Sequence, residues 1–387
     1  MALALRPALA LAALSAVGLI APALGTGAVA GVQDDRLNTA TLGQIEPRLD
    51  LIQQSGARVT RVDMFWSEVA PTKPANPDDP FDPAYQFAKF DAIFTGLRVR
   101  GITPIVTVYS APRWATGGKG PLKGRQNNAN MPNPVQFGRF MGAVATRYNG
   151  SFDGGQYSIA RPLVRHFEIW NEPNLSRYLV PQFDKRGRAL STRNYVTLVR
   201  AASGRIKKAN PRAVVIAGVA GPKSTTKKKG ALDDLGFGAL DWLKGLRQFK
   251  RTLKFDAYSQ HIYPALPPTA KAVVYPNWAS VPSLFREIDK FKRGLPLYIT
   301  EAGYTTQITP IRLTVVSISQ QAKYLRQIFA LKSIKNKRVP VVVWFNLQDN
   351  PVWPGGLQRQ TGSNKPSFSV FRTIARTGPL PSALALP

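Results

Sequence analysis

The sequence predicts an α/β fold, a single closed (β/α)8 barrel of the TIM type, on three observations. Short β-branched runs alternate with longer amphipathic runs along the chain, the rhythm of a parallel sheet with crossover helices. The alternation continues through seven strand candidates, and residues ahead of the first helix can supply an eighth. No Gly-rich phosphate loop follows the first strand, which separates a closed barrel from an open dinucleotide-binding sheet.

The first strand is placed at 28–33, the only strand-like material before a helix near 46–55. Strands at 59–65, 103–109, 164–170, 213–219, 257–262, 297–300 and 339–345 follow. Between them, helices are expected near 85–99, 134–148, 192–209, 238–250, 282–293 and 319–334. Each has apolar residues at helical spacing, as in Phe137, Phe140, Met141, Val144 and Tyr148. Long polar loops at 71–83 and 115–134 follow the second and third of these eight strands, on the end where barrel active sites form.

The N-terminal residues carry one charge, Arg6, then a Leu- and Ala-rich run and small residues, the pattern of a signal peptide. Residues 1–25 are assigned to it, with cleavage possible as late as residue 30. Cleavage near 23–25 is favoured, because a cut after Ala30 would remove half of the first strand; a retained membrane anchor is the alternative. The barrel is expected to occupy 26–377, with a lightly ordered Pro- and Leu-rich tail at 378–387. The chain is therefore expected to be secreted, with no other segment long and apolar enough to span a bilayer.

Composition narrows the chemistry. There is no cysteine, which excludes thiolate nucleophiles and zinc-thiolate sites, and only His166 and His261 are available, too few for a multi-histidine metal centre. No metal and no cofactor is expected, and catalysis falls to carboxylates. The formal charge of +30 belongs to 52 Lys and Arg against 22 Asp and Glu. Without a nucleic-acid-binding motif, nucleic acid is not the expected partner; a solvated basic surface, or attraction to anionic cell-wall polymers, is.

Two motifs carry the functional reading. Phe167-Glu168-Ile169-Trp170-Asn171-Glu172-Pro173-Asn174 ends one strand, and Leu297-Tyr298-Ile299-Thr300-Glu301-Ala302-Gly303 ends another three strands later. Glutamates at strand ends open into a barrel mouth. Two such carboxyl groups about 5 to 5.5 Å apart are what retaining hydrolysis of a glycosidic bond requires, one to protonate the leaving oxygen and one to attack the anomeric carbon. Capping of loops or surface ion pairs is the other use of such residues. Glu168 points to the same side as Glu172 by period two; it is read as a buried partner of Arg61 or His261 and receives no catalytic role.

With these motifs the chain resembles the retaining β/α-barrel glycoside hydrolases of clan A over nearly all of its mature length. It is most similar to family 39, the xylosidase and iduronidase group, with the cellulase-containing family 5 next. The resemblance implies that Glu172, following Asn171 on strand four, is the general acid/base and Glu301 on strand seven the nucleophile. It implies substrate-binding or supporting roles for Arg61, beside the nucleophile; for Asn171, toward the sugar 2-hydroxyl; for His261 and Tyr263, from a His-x-Tyr pattern on strand six; and for Trp344, as an aromatic floor under the sugar. A buried ion pair for Arg61, a satisfied core histidine for His261 and core packing for Trp344 are the alternatives. Trp114, ahead of Trp66, is a further candidate sugar platform, with Trp278 and Trp353 on loops as secondary ones. The expected substrate is an oligo- or polysaccharide, β-linked by resemblance. A glycan-binding barrel without catalysis and a transglycosidase using the same residues are the rival functions.

Overall fold

The computed structural model describes residues 27–125, 127–151, 162–271, 275–378 and 384. Eight parallel strands close into a barrel in chain order: β1 (Val29–Gln33), β2 (Val59–Phe65), β3 (Thr103–Tyr109), β4 (His166–Ile169), β5 (Val214–Ala220), β6 (Ala257–Ile262), β7 (Leu297–Ala302) and β8 (Val341–Phe345). β1 closes the ring by pairing with both β2 and β8, with Gln33 opposite Arg61 on one side and Phe345 on the other. The segment ahead of the first helix is thus the eighth strand that the alternation called for. The signal-peptide assignment, residues 1–25, lies outside the described residues.

Helices Leu42–Gln54, Ala88–Val99, Pro134–Arg147, Ser191–Ala209, Ala239–Arg247, Val281–Phe291 and Ile318–Ala330 run between the strands, each within a few residues of its expected span. Their starts are written locally. Asn133 accepts hydrogen bonds from Val135 N and Gln136 N ahead of Pro134, and Ser317 and Gln320 form a capping box. An eighth long helix, Pro366–Thr377, was not among those expected; it buries Phe368, Phe371 and Ala375 at helical spacing and packs against the helix Ile318–Ala330.

The barrel interior is layered. At the N-terminal end of the strands Val29, Val59, Ile105, Ile216, Ala257, Tyr298, Val341 and Val343 form an apolar plug. Leu384 is buried in this plug and its carbonyl accepts from Thr103 Oγ1; the tail residues 379–383 and 385–387 lie outside the described residues. Above the plug the interior turns polar, and that change of lining builds the site.

Candidate active site

Period-two alternation sends Gln33 of β1, Arg61 and Asp63 of β2, Thr107 and Tyr109 of β3 and Glu168 of β4 inward. β7 departs from that period. His261 pairs with Glu301 and Ser259 with Tyr298, so two steps on β6 face three on β7, and the same irregularity recurs against β8. Such a bulge re-aims side chains. Here it lets the adjacent residues Thr300 and Glu301 both reach the interior, Thr300 toward Glu168 and Glu301 toward Arg61.

Arg61 is the hub. Fully buried, it donates to Glu301 Oε1 at 2.7 Å, Glu168 Oε2 at 2.8 Å, Gln33 Oε1 at 2.8 Å and Asn171 Oδ1 at 2.8 Å, and lies 3.1 Å from Asp63 Oδ1. Burial alone would weaken its charge, but Asp63, Glu168 and Glu301 outweigh it and hold the guanidinium well above its ordinary pKa. Glu168 also accepts from Thr107 Oγ1 and Thr300 Oγ1, both at 2.7 Å. Burial would raise its pKa; the charges of Arg61 and His261 and these hydroxyls bring it below the usual carboxylate range. It is the buried partner of Arg61.

Glu301 is held on both oxygens, since Tyr263 donates its hydroxyl to Oε2 at 2.6 Å. Burial and the Glu301 charge keep that phenol well above its ordinary pKa, so it remains a donor. Glu172 lies beyond the end of β4, where the backbone leaves the extended region: Trp170 and Glu172 have φ of 66° and 41°. Left-handed non-glycine residues cost roughly 1–3 kcal/mol each and persist where the surroundings over-determine them. Here Trp170 donates its indole N–H to Tyr178 O, and Asn174 clasps Gly221 by accepting from its N–H and donating to its carbonyl. A Cβ at Gly221 would stand 2.7 Å from Leu175 Cδ1 and 2.9 Å from Glu172 Cδ, so both side chains would have to shift to admit one.

His261 joins the two carboxylates. Its Nδ1 lies 2.7 Å from Glu172 Oε1 and 3.4 Å from Glu301 Oε2. Burial would lower its pKa, but Glu301 and the Glu172 contact raise it above the ordinary value. One oxygen of Glu172, one of Glu301 and an imidazole nitrogen all lie within 4.8 Å of one another. Three such donors are the kind of set a metal ion takes, yet the protein already uses them: Arg61 and Tyr263 on Glu301, His261 on Glu172.

The structure thus brings Glu172, Glu301, Arg61, Asn171, His261 and Tyr263 together. It does not bring Trp344. On β8, Val341 and Val343 belong to the interior plug, so Phe345 shares their side and Trp344 turns outward, 1% exposed, with its indole N–H on Gly355 O. Trp66 is buried against Phe140, and Trp114 packs edge-on against Trp66 and donates to Ala70 O, contacts that tie it to the loop after β2 rather than to the glutamates. Trp278 is buried. The aromatic side chains beside Tyr263 are Phe345 and Trp353, the latter 4.6 Å from the Tyr263 ring, with the Arg312 guanidinium 4.4 Å from the Trp353 ring. Gln33 and Asp63 were also missed, although inward phase two residues from Arg61 marked Asp63.

A parallel barrel whose mouth opposes two buried-side glutamates, one fixed by an arginine and a tyrosine, is the architecture of a barrel glycosidase. The model of glycosyl hydrolases family 39 matches residues 52–376, and the chain belongs to that family. Among solved structures, a family 39 glycoside hydrolase from Bacteroides cellulosilyticus WH2 aligns with TM-score 0.58 at 19% identity, over 90% of this chain and 63% of its own length. A glucosidase from Croceicoccus marinus aligns with TM-score 0.64 at 14% identity, over 91% of this chain and 68% of its own. A family 39 β-xylosidase from Caulobacter crescentus gives 0.58 and 17%, over 90% and 70%. This chain therefore spans under two thirds of the Bacteroides enzyme. Curated protein sequences give no match. Among the described residues no helix is long and apolar enough to cross a membrane.

Proposed function

We propose that the protein is a secreted, retaining glycoside hydrolase acting on β-linked glycans, with Glu301 as nucleophile and Glu172 as general acid/base. The observation that carries this reading is the carboxylate separation. One oxygen of each glutamate lies within 4.8 Å of the other, which suits a carboxyl spacing of about 5–5.5 Å for direct attack better than the about 6.5–9.5 Å where a water must fit between.

In the first step Glu301 forms a bond to the anomeric carbon while protonated Glu172 gives its proton to the departing glycosidic oxygen. Arg61 and Tyr263 hold the attacking carboxylate in place. In the second step Glu172 takes a proton from water, the hydroxide oxygen attacks the anomeric carbon, and Glu301 departs. Asn171 accepts from Arg61 through its oxygen, which orients the amide with its NH2 as donor for a sugar hydroxyl. The two glutamates are expected to fail differently. Glu301→Ala loses turnover of every aryl glycoside, whereas Glu172→Ala keeps activity on good leaving groups and is rescued by azide; equal loss on good and poor leaving groups would refute the assignment.

Secretion rests on the leader pattern of residues 1–25, and N-terminal sequencing of exported protein tests it. The basic surface supports attraction to anionic cell-wall polymers: a cavity of about 510 Å³ at the opposite end of the barrel is lined by Lys207, Lys250, Lys254 and Lys292. Salt-sensitive retention on such material is the expected result, and its absence removes this partner.

A further inference from the structure

The loop between β7 and the helix Ile318–Ala330 exposes Ile308, Ile311, Leu313 and Val315, with Ile308 68% and Leu313 77% accessible. Val352 is exposed on the neighbouring β8 loop, which Thr306 ties to this one by donating from its N–H and its hydroxyl to Pro354 O. Elsewhere among the described residues the exposed large apolar side chains, Leu42, Phe81, Val99, Val135 and Leu232, are scattered along the sequence. Single exposed apolar residues need no explanation, but a concentration on one rim marks a contact surface.

Charge decides what covers it. From residue 302 to 348 there is no Asp or Glu, the loop itself carries Arg312, and the helix behind it adds Lys323 and Arg326. A second copy of a chain with formal charge +30 would be repelled, so the surface fits an anionic partner. The apolar side chains are exposed on a loop, which suits insertion into a fluid interface.

We propose that residues 308–315, with Val352, form a docking element for an anionic lipid surface, seating the barrel mouth on the bilayer. The loop contacts the site, because Arg312 packs on Trp353 and Tyr263, and Tyr263 bonds Glu301. A seated loop therefore presents the catalytic mouth to glycans at the lipid surface. Docking does not depend on which sugar is cleaved.

Co-sedimentation of the purified chain with vesicles tests this. Wild-type protein is expected to pellet with equimolar phosphatidylglycerol and phosphatidylcholine, and far less with phosphatidylcholine alone. Ile308→Ser/Leu313→Ser, at exposed positions, is expected to lower partitioning on the order of ten-fold or more, while Val99→Ser, exposed at the end of the helix Ala88–Val99 that leads into β3 and so at the opposite end of the barrel, leaves it unchanged. Equal pelleting of the double variant would show that the general basic surface is responsible and overturn the proposal. Wild-type protein left in the supernatant would overturn it too, and loss of self-association in the same variant would then give the loop to a second copy.

Discussion

Tyr263→Phe removes one oxygen from the site and little else. The phenol donates to Glu301 Oε2 at 2.6 Å, while the ring packs 4.6 Å from Trp353 and 6.2 Å from Phe345, contacts that phenylalanine keeps. A hydrogen bond to a charged group is worth about 1.5–3 kcal/mol. Glu301 stays anchored by Arg61 at 2.7 Å on its other oxygen, so the carboxylate swings rather than leaves. At roughly 1.4 kcal/mol per ten-fold, the expected loss in kcat is about 10- to 150-fold. KM on an aryl β-glycoside is expected to change little, because Tyr263 holds the enzyme's own carboxylate. The melting temperature should move by no more than a degree or two. Steady-state kinetics and thermal unfolding by circular dichroism read both. A kcat within two-fold of wild type would refute the claim that Tyr263 positions the nucleophile; a loss beyond about a thousand-fold, more than one such bond supplies, would refute the claim that positioning is all it does.

Three further outcomes follow from the same contacts. Arg61→Met leaves Glu168, Glu301 and Asp63 without their shared cation, and breaking a buried ion pair typically costs about 3–5 kcal/mol; a fall of this size in urea-unfolding stability is expected, and a neutral result would contradict the hub. Gly221→Ala crowds both Leu175 and Glu172, so it should slow poor leaving groups more than good ones through the shifted Glu172, with equal slowing counting against the acid role. Glu168 has its folded-state pKa below its unfolded one, so its stabilising contribution is present above the unfolded value of about 4.3 and is lost as pH falls through the lower folded value. Glu168→Gln is therefore expected to flatten the acid limb of stability against pH, and an unchanged limb would show that Glu168 is not the group responsible.

What could be read from the sequence divides along physical lines. The barrel was legible because parallel strands buried on both faces are continuous β-branched runs and their crossover helices are amphipathic. The same property hid the orientation of β8: Val-Val-Val-Trp-Phe is apolar at every position, so nothing in it fixes phase, and Trp344 was placed inside where Phe345 stands. β2 was readable, since Arg61 and Asp63, two residues apart, are the charged residues of the strand and announce the inward side. The bulge in β7 that admits both Thr300 and Glu301 has no sequence signature of its own. Trp353, named only as a secondary platform, and Arg312 reach Tyr263 from loops, whose paths are set by packing that no local pattern encodes. The helix Pro366–Thr377 was written in the spacing of Phe368 and Phe371, and went unread.

Covalent trapping tests the central claim most directly. An aryl 2-deoxy-2-fluoroglycoside of a sugar that the enzyme accepts slows release of the glycosyl group more than its attachment. Intact mass is predicted to rise by one fluoroglycosyl unit, and peptide mapping to place it on Glu301. Attachment to Glu172 or Glu168, or turnover of the unmodified glycoside to a product of inverted anomeric configuration, would contradict the assignment of Glu301 as nucleophile.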